Sequence, residues 1–191
     1  MSSDEIWEIV SKKITGKIEQ LRTAGTLKLW KSCTTPAGKI SGPDQFNTIP
    51  SQDWTDTSLP LTWSSKDGEK WLVARPVLPE VIHNIPTRGA EVNFDFLMAI
   101  GATIYLNGKQ AYHENYWTDS RAVELKFFTD FDPSKPLEIA IRTNASDGFG
   151  YFDGAYLRIS SVNNIEFELD LLLAQLQFTR FLSTKQENTH L

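Results

Sequence analysis

The chain has 191 residues, of which 40% are apolar and 23% charged, enough to bury one good core and too few for two ordinary enzyme domains. Its net charge of -5, with no Lys/Arg-rich run among aromatic residues, argues against a nucleic-acid partner. No stretch reaches the roughly 18 apolar residues of a membrane span, and no basic leader with an apolar block begins the chain. The single cysteine, Cys33, cannot form an internal disulfide, so we expect a cytoplasmic protein without a membrane partner.

The N-terminal segment, residues 1–25, has the pattern of an amphipathic helix. Its apolar residues recur at intervals of three and four positions, as on one face of a helix; they are Ile6, Trp7, Val10, Ile14, Ile18 and Leu21. Ser2 and Glu5 have the spacing of a capping box, which pairs two N–H groups at a helix start. Gly25 stands where a helix stop is expected.

Residues 26–161 have the pattern of a β-sandwich. Short runs of β-branched and aromatic residues, such as KWLVARPVLP and EVNFDFLMA, are separated by Gly, Pro, Asn and Asp. In the second run Val92, Phe94 and Phe96 alternate with polar residues, which predicts one buried face and an antiparallel sheet. Asn107-Gly108 predicts a hairpin turn, because both positions of a type I′ turn need positive φ. We therefore predict a mainly β fold, an antiparallel sandwich between two helices.

The C-terminal segment, residues 162–191, returns to a helical pattern from Asn164, which can cap a helix. One apolar stripe consists of Ile165, Leu169, Leu172 and Leu176. Further apolar residues extend well beyond that stripe: Phe167, Leu171, Phe178, Phe181 and Leu182. A surface helix on one core needs less apolar surface than this. Either the two terminal helices pack on each other and on the sandwich, or a partner covers the excess.

A pair of carboxylates is the first candidate site. The stretch NASDGFGYFDGAY brings Asp147 and Asp153 close to glycines and aromatic residues, a composition that can hold a sugar ring or an ion. The structural interpretation is favoured, because SDG and FDG are ordinary turn sequences. Asp147 and Asp153 are kept as candidates.

A second candidate surface follows the hairpin, where the polar and aromatic residues His113, Glu114, Tyr116, Trp117 and Asp119 are clustered. Aromatic rings stack on the C–H faces of sugars while polar groups bond to the hydroxyls, so this composition suits a carbohydrate. A loop packed on a neighbouring domain has the same composition, and both interpretations stay open.

Sequence patterns for other catalytic chemistry are missing. The histidines His83, His113 and His190 are scattered and form no H-E-x-x-H motif, so we expect no metal site in this chain. The chain has no G-x-S-x-G motif, and Cys33 lies in a Thr/Pro-rich loop without a signal for a partner histidine. We expect no catalytic residue and no cofactor here.

The stretch YLNGKQAYHENYWTDSRAVEL, followed by PLEIAIRT and GAYLRIS, resembles the signature of galactose-binding-like jelly-roll domains attached to glycoside hydrolases. The flanking pattern is more specific. LKLWK, LPLTW and DGEKWLVARPVLP, together with the two terminal helices, resemble the N-terminal region of family 38 α-mannosidases.

This resemblance implies a jelly-roll β-sandwich that packs on the catalytic domain of an α-mannosidase, in the same or a separate chain. The zinc ion and the catalytic carboxylates of that family belong to a following domain, and no stretch here matches their motif. The parent enzyme would hydrolyse α-mannosides with retention, using two carboxylates. The alternatives are a free-standing carbohydrate-binding module and a small enzyme that uses Asp147 and Asp153.

Overall fold

The computed structural model describes residues 2–34, 42–48, 51–99, 101–114, 121–144 and 149–189. In these residues two α-helices, α1 (Ser3–Thr23) and α2 (Ser160–Thr189), flank twelve β-strands. The strands are β1 Leu29–Thr34, β2 Thr55–Ser58, β3 Leu61–Ser64, β4 Lys70–Ala74, β5 Val81–Ile82, β6 Ile85–Pro86, β7 Val92–Ala99, β8 Gly101–Leu106, β9 Lys109–Glu114, β10 Arg121–Phe128, β11 Ile139–Asn144 and β12 Phe149–Ile159. Short 3-10 helices span Pro43–Thr48, Ser51–Asp53 and Ser65–Asp67.

The strands form two main sheets that face each other. One sheet has six strands in the order β2-β1-β4-β11-β8-β9, and the other has four in the order β10-β7-β12-β3. β5 and β6 form a separate small hairpin. All pairs are antiparallel. The predicted fold class is confirmed: it is an antiparallel β-sandwich with one helix before it and one helix after it along the chain.

The core lies between the two sheets. From β7 of the four-stranded sheet, Val92, Phe94 and Phe96 are at most 2% exposed, as their alternation with polar residues predicted. From the six-stranded sheet, Ile104 and Ile141 face them and are fully buried. Each such side chain contributes about 1.5–3 kcal/mol on burial, so this apolar layer supplies most of the stability of the sandwich.

The Asn107-Gly108 turn between β8 and β9 is as predicted. Asn107 and Gly108 have φ of 47° and 76°, the positive values that a type I′ turn requires. The Asn107 side-chain oxygen accepts a 2.8 Å hydrogen bond from the Glu138 N–H, and the Asn107 N–H donates to the Glu138 carbonyl at 2.8 Å. The turn is therefore also tied to the strand that neighbours β8.

Helix α1 has the predicted capping box and ends just before Gly25. The Glu5 N–H donates to the Ser2 hydroxyl, and the Glu5 carboxylate accepts from the Ser2 N–H. After the helix, Gly25–Leu27 runs beside β12, with a 2.8 Å hydrogen bond from the Leu157 N–H to the Gly25 carbonyl. A Cβ on Gly25 would lie 1.9 Å from the Leu157 carbonyl oxygen. The glycine is needed for this close approach and not only as a helix stop.

Helix α2 begins at Ser160, so the prediction that Asn164 caps it is wrong. β12 continues directly into the helix, because the Ser160 N–H donates to the Glu91 carbonyl at 2.9 Å and the Ser160 hydroxyl accepts from the Glu91 N–H at 2.9 Å. These bonds fix the backbone at the sheet edge, and Asn164 lies one turn inside the helix. No described helix is long and apolar enough to cross a membrane.

The two helices pack side by side in opposite directions. At one end Arg22 of α1 pairs with Glu166 at 2.8 Å and Asp170 at 2.6 Å, near the start of α2. At the other end the Arg180 guanidinium of α2 lies 3.0 Å from the Asp4 carboxylate and 4.0 Å from the centre of the Trp7 ring. The first of the two packing alternatives therefore holds for part of the apolar surface of α2. The rest is still exposed, including Phe167 at 69% and Phe178 at 62%.

Replacing Gly25 by alanine is expected to lower the free energy of unfolding by more than about 2 kcal/mol, because the new methyl group meets the Leu157 main chain. Gly16→Ala in α1 is the matched control. Its new Cβ meets no atom within 4 Å, so the gain in helix propensity should raise stability by about 0.5–1 kcal/mol. Urea unfolding of both variants measures the two changes. Equal effects of the two substitutions would contradict the packing role of Gly25.

Candidate functional site

The strands that flank both candidate segments meet at one end of the sandwich, called here the crossover end. Ala102 pairs with Glu114 on one side and with Thr143 on the other, so β9 and β11 both end there. In the other sheet Tyr151, near the start of β12, pairs with Ala99 at the end of β7. The connections from β9 to β10 and from β11 to β12, which lead from one sheet to the other, thus both begin at the crossover end. The helices leave from the opposite end, where β12 runs into α2.

Four predicted site residues lie outside the described residues: Tyr116, Trp117, Asp119 and Asp147. Their assignment stays a prediction from the sequence. The other three candidates, His113, Glu114 and Asp153, are described.

His113 lies on β9, the edge strand of the six-stranded sheet, and its ring is exposed. Its Nδ1 is 2.8 Å from the Thr103 hydroxyl. Thr103 is paired in register with both His113 and Arg142, so the three residues lie in one row on the outer face of this sheet. The hydroxyl contact holds the imidazole against the sheet.

Glu114 lies on the opposite face of β9 from His113. It pairs with Ala102, which is fully buried between the sheets, and successive residues of a strand point to opposite faces. The two candidate side chains therefore lie on opposite faces of β9, and the contact of either with a carbohydrate stays a prediction. The physical reason is the two-residue period of the strand, which extends as far as Glu114.

Asp153 lies at a β-bulge of β12, where the pairing with β7 shifts between Phe152 and Gly154. An inserted residue of this kind re-aims its side chain. The Asp153 carboxylate accepts a hydrogen bond from the Tyr151 hydroxyl, which raises the pKa of that phenol. Phe152 between them is fully buried, so Tyr151 belongs to the outer face of the four-stranded sheet.

That outer face carries further polar side chains, which the sequence pattern did not predict as a site. Asp95 lies in register with Tyr156 and Glu124 on the neighbouring strands, and Asn93 lies in register with Arg158. Together with Tyr151 and Asp153 these residues are called the tyrosine face. The signal was present in EVNFDFL, whose polar members mark the face that is not buried, but alternation alone does not distinguish a binding face from a solvated one.

Ion pairs organise the tyrosine face. The Arg158 guanidinium bonds to the Asp95 carboxylate, and this contact raises the pKa of Arg158. The Asn93 amide donates to Glu124 at 3.0 Å. Tyr156 is 43% exposed. Along β12 the face from Tyr151 to Arg158 is about 20 Å long, which exceeds the length of one sugar ring.

A second polar group lies on the outer face of the six-stranded sheet. Arg142 and Glu69 are paired at 2.7 Å, and the hydrogen bond from Arg142 to Glu69 raises the pKa of Arg142. Beside this pair the Tyr105 and Trp71 rings are 5.8 Å apart, and Phe46 covers Trp71 edge-on at 5.1 Å. Glu69 is only 15% exposed and already paired with Arg142, so the two form a structural ion pair.

Metal and nucleophile chemistry finds no support in the described part of the chain. No group of three or more His, Cys, Asp or Glu side chains in it could hold a metal ion. Cys33 is 3% exposed, and its burial raises the pKa of the thiol, which disfavours the reactive thiolate. Asp67 accepts a 2.8 Å hydrogen bond from the Ser64 N–H and so closes a turn.

Comparison with known proteins gives a likeness of fold. No protein-family model and no curated protein matches the chain. A glycosyl hydrolase family 2 member from Bacteroides cellulosilyticus matches 72% of this chain with a TM-score of 0.55 and 16% identity. The β-glucuronidase 2 of Bacteroides uniformis matches 70% with a TM-score of 0.53 and 16% identity. The chain covers 20% and 18% of those two proteins. The sandwich is thus of the kind found in part of these hydrolases.

Asp153→Asn is expected to lower the pKa of the Tyr151 phenol toward its ordinary value, because an amide is a weaker acceptor than a carboxylate. A raised phenol pKa stabilises the fold below the ordinary value, and that stabilisation is lost as the pH rises through the raised value. Ultraviolet titration of the phenolate, with Tyr151→Phe to assign the signal, measures the shift. An unchanged titration in Asp153→Asn would contradict the hydrogen bond.

Proposed function

We propose that the chain is a non-catalytic accessory domain of a glycoside hydrolase. The observation that carries the proposal is the match of about 70% of the chain to about a fifth of two such enzymes. A match of this size corresponds to one domain of a larger enzyme. The conclusion agrees with the galactose-binding-like pattern of the sequence, which rests on different evidence.

The hydrogen bonds that the carboxylates accept favour a non-catalytic role. Glycoside hydrolysis uses two carboxyl groups facing one bond, one of them free to give or take a proton. At the crossover end Asp67, Glu69 and Asp153 each accept a hydrogen bond from a protein group. These three are thus engaged in turns, an ion pair and a bulge. Our proposal accordingly assigns the reacting carboxylates to another domain.

The parent enzyme is proposed to be an α-mannosidase, on the sequence resemblance to family 38. In that case a catalytic domain, in the same or a separate chain, holds the zinc ion and cleaves α-mannosides, and the sandwich packs on it. The structural neighbours support the broader class of glycoside hydrolases, and the mannoside specificity rests on the sequence motifs. A cytoplasmic location belongs to the same proposal.

The isolated chain is expected to cleave no aryl α-mannoside, β-glucuronide or β-galactoside, with or without added zinc, because our proposal assigns the reacting carboxylates to another domain. Release of the aryl alcohol measures this. Turnover that is lost in Asp147→Asn or Asp153→Asn but kept in Val77→Ala would contradict the proposal. Val77 is the control because it is exposed and lies outside the candidate surfaces. The reading frame downstream of Leu191, or a neighbouring gene, should encode the catalytic domain.

A free-standing carbohydrate-binding module is the second candidate, favoured by the tyrosine face. Tyr151 and Tyr156 offer aromatic rings, and Asp95, Asp153 and Arg158 offer polar groups, which is the combination that sugar rings and hydroxyls need. His113 lies on the outer face of the other sheet and is not part of this surface. Tyr116 and Trp117 stay candidates from the sequence.

Calorimetric titration with mannosides and galactosides separates the two candidates. A binding module should show saturable heat, and Tyr156→Ala should weaken binding about fivefold or more, since a lost stacking contact is worth about 1 kcal/mol or more. Trp117→Ala tests the sequence candidate in the same way, and Val77→Ala should change nothing. No heat at millimolar sugar would reject the binding module.

A further inference from the structure

Helix α2 carries two apolar stripes on different sides. Leu169, Leu173 and Leu176 are partly covered and lie on the side of Glu166 and Arg180, which contact α1. The other stripe consists of Phe167, Leu171, Ala174, Phe178 and Phe181. Its spacing alternates between four and three positions, the seam of a helix that packs along another helix. By the rotation of 100° per residue, the two stripes lie roughly 150° apart.

The second stripe is largely exposed in the structure, and the Lys185 Nζ lies 4.9 Å from the centre of the Phe181 ring. Phe167, Leu171, Phe178 and Phe181 are 69%, 51%, 62% and 53% exposed. α1 does not cover them, because its ion pairs bind α2 on the other side. Isolated exposed apolar residues are common, but a periodic row along three to four helical turns marks an interaction surface.

We propose that this outer stripe of α2 is the interface between two copies of the chain, which pair through antiparallel α2 helices. The stripe is nearly symmetric about Ala174, with a phenylalanine at each end and the smallest side chain near the middle. A two-fold axis close to Ala174 brings the aromatic ends of one copy onto those of the other and lets the backbones approach at the centre. An interface of this type uses the same patch on both subunits.

Charge favours the antiparallel orientation. Glu168 lies in the first half of α2 and Lys185 near its end, whereas Asp170 and Arg180 are already paired with Arg22 and Asp4 of α1. Antiparallel pairing places the acidic part of one helix beside the basic part of the other. Parallel pairing places Glu168 beside its own copy, where like charges repel.

The area of the stripe is sufficient for a specific dimer. The exposed parts of its side chains amount to about 500 Å² in each copy, so that pairing buries about 1,000 Å² in total. This reaches the lower bound for specific protein interfaces. Because the helices leave the sandwich opposite the crossover end, the dimer leaves the crossover end of each copy accessible.

Sedimentation equilibrium of the full chain tests the proposal. The wild-type chain should have about twice the 21.6 kDa monomer mass at micromolar concentration. Phe178→Glu and Phe167→Glu should each raise the dimer dissociation constant at least about 100-fold, since each buries a charge in the seam. Thr179→Glu adds the same charge at an exposed position of the same helix, about 120° from the centre of the stripe, and should change it little. Circular dichroism checks that the variants keep their fold.

Orientation is tested with one spin label at Glu168→Cys, which can be labelled selectively because Cys33 is buried. In the antiparallel pair the two labels should be more than about 20 Å apart, and in a parallel pair about 10 Å. A short distance would overturn the antiparallel arrangement. A monomer at all concentrations, or a dimer that Phe178→Glu and Thr179→Glu affect equally, would overturn the interface.

Discussion

The close approach of Gly25 to the main chain of Leu157 is the contact on which the placement of both helices depends. It joins the segment after α1 to the free edge of β12, and β12 itself runs without a loop into α2. The end of α1 and the start of α2 therefore lie on neighbouring backbones, and the two helices must lie side by side. Arg22 and Arg180 then fix the pairing at its two ends. Any side chain at position 25 would push these backbones apart.

This placement puts the helices and the crossover end at opposite ends of the sandwich. The helices occupy the end of the sandwich where β12 finishes, and the crossover end lies on the far side. A partner that packs on the helices thus leaves the crossover end free, and a ligand there leaves the helices free. An accessory domain needs both properties, since it has to contact another body without blocking the surface at which a glycan is held or guided.

Local patterns explain which features could be predicted from the sequence. The capping box at Ser2, the turn at Asn107 and the buried face of β7 depend on residues a few positions apart, and all three are confirmed. The start of α2 and the tyrosine face depend on contacts between distant segments, such as Ser160 with Glu91. The error at Asn164 has this origin, because a good capping residue loses to tertiary hydrogen bonds one turn earlier.

The candidate site shows the same limit from the chemical side. A run of polar and aromatic letters indicates that a surface is unusual, but in a strand it is divided between two faces, as His113 and Glu114 are. Cross-strand register then brings together residues that the sequence keeps apart, such as Asp95 with Tyr156 and Glu124. The tyrosine face is therefore a product of the register of β7, β10 and β12, which no stretch of consecutive residues encodes.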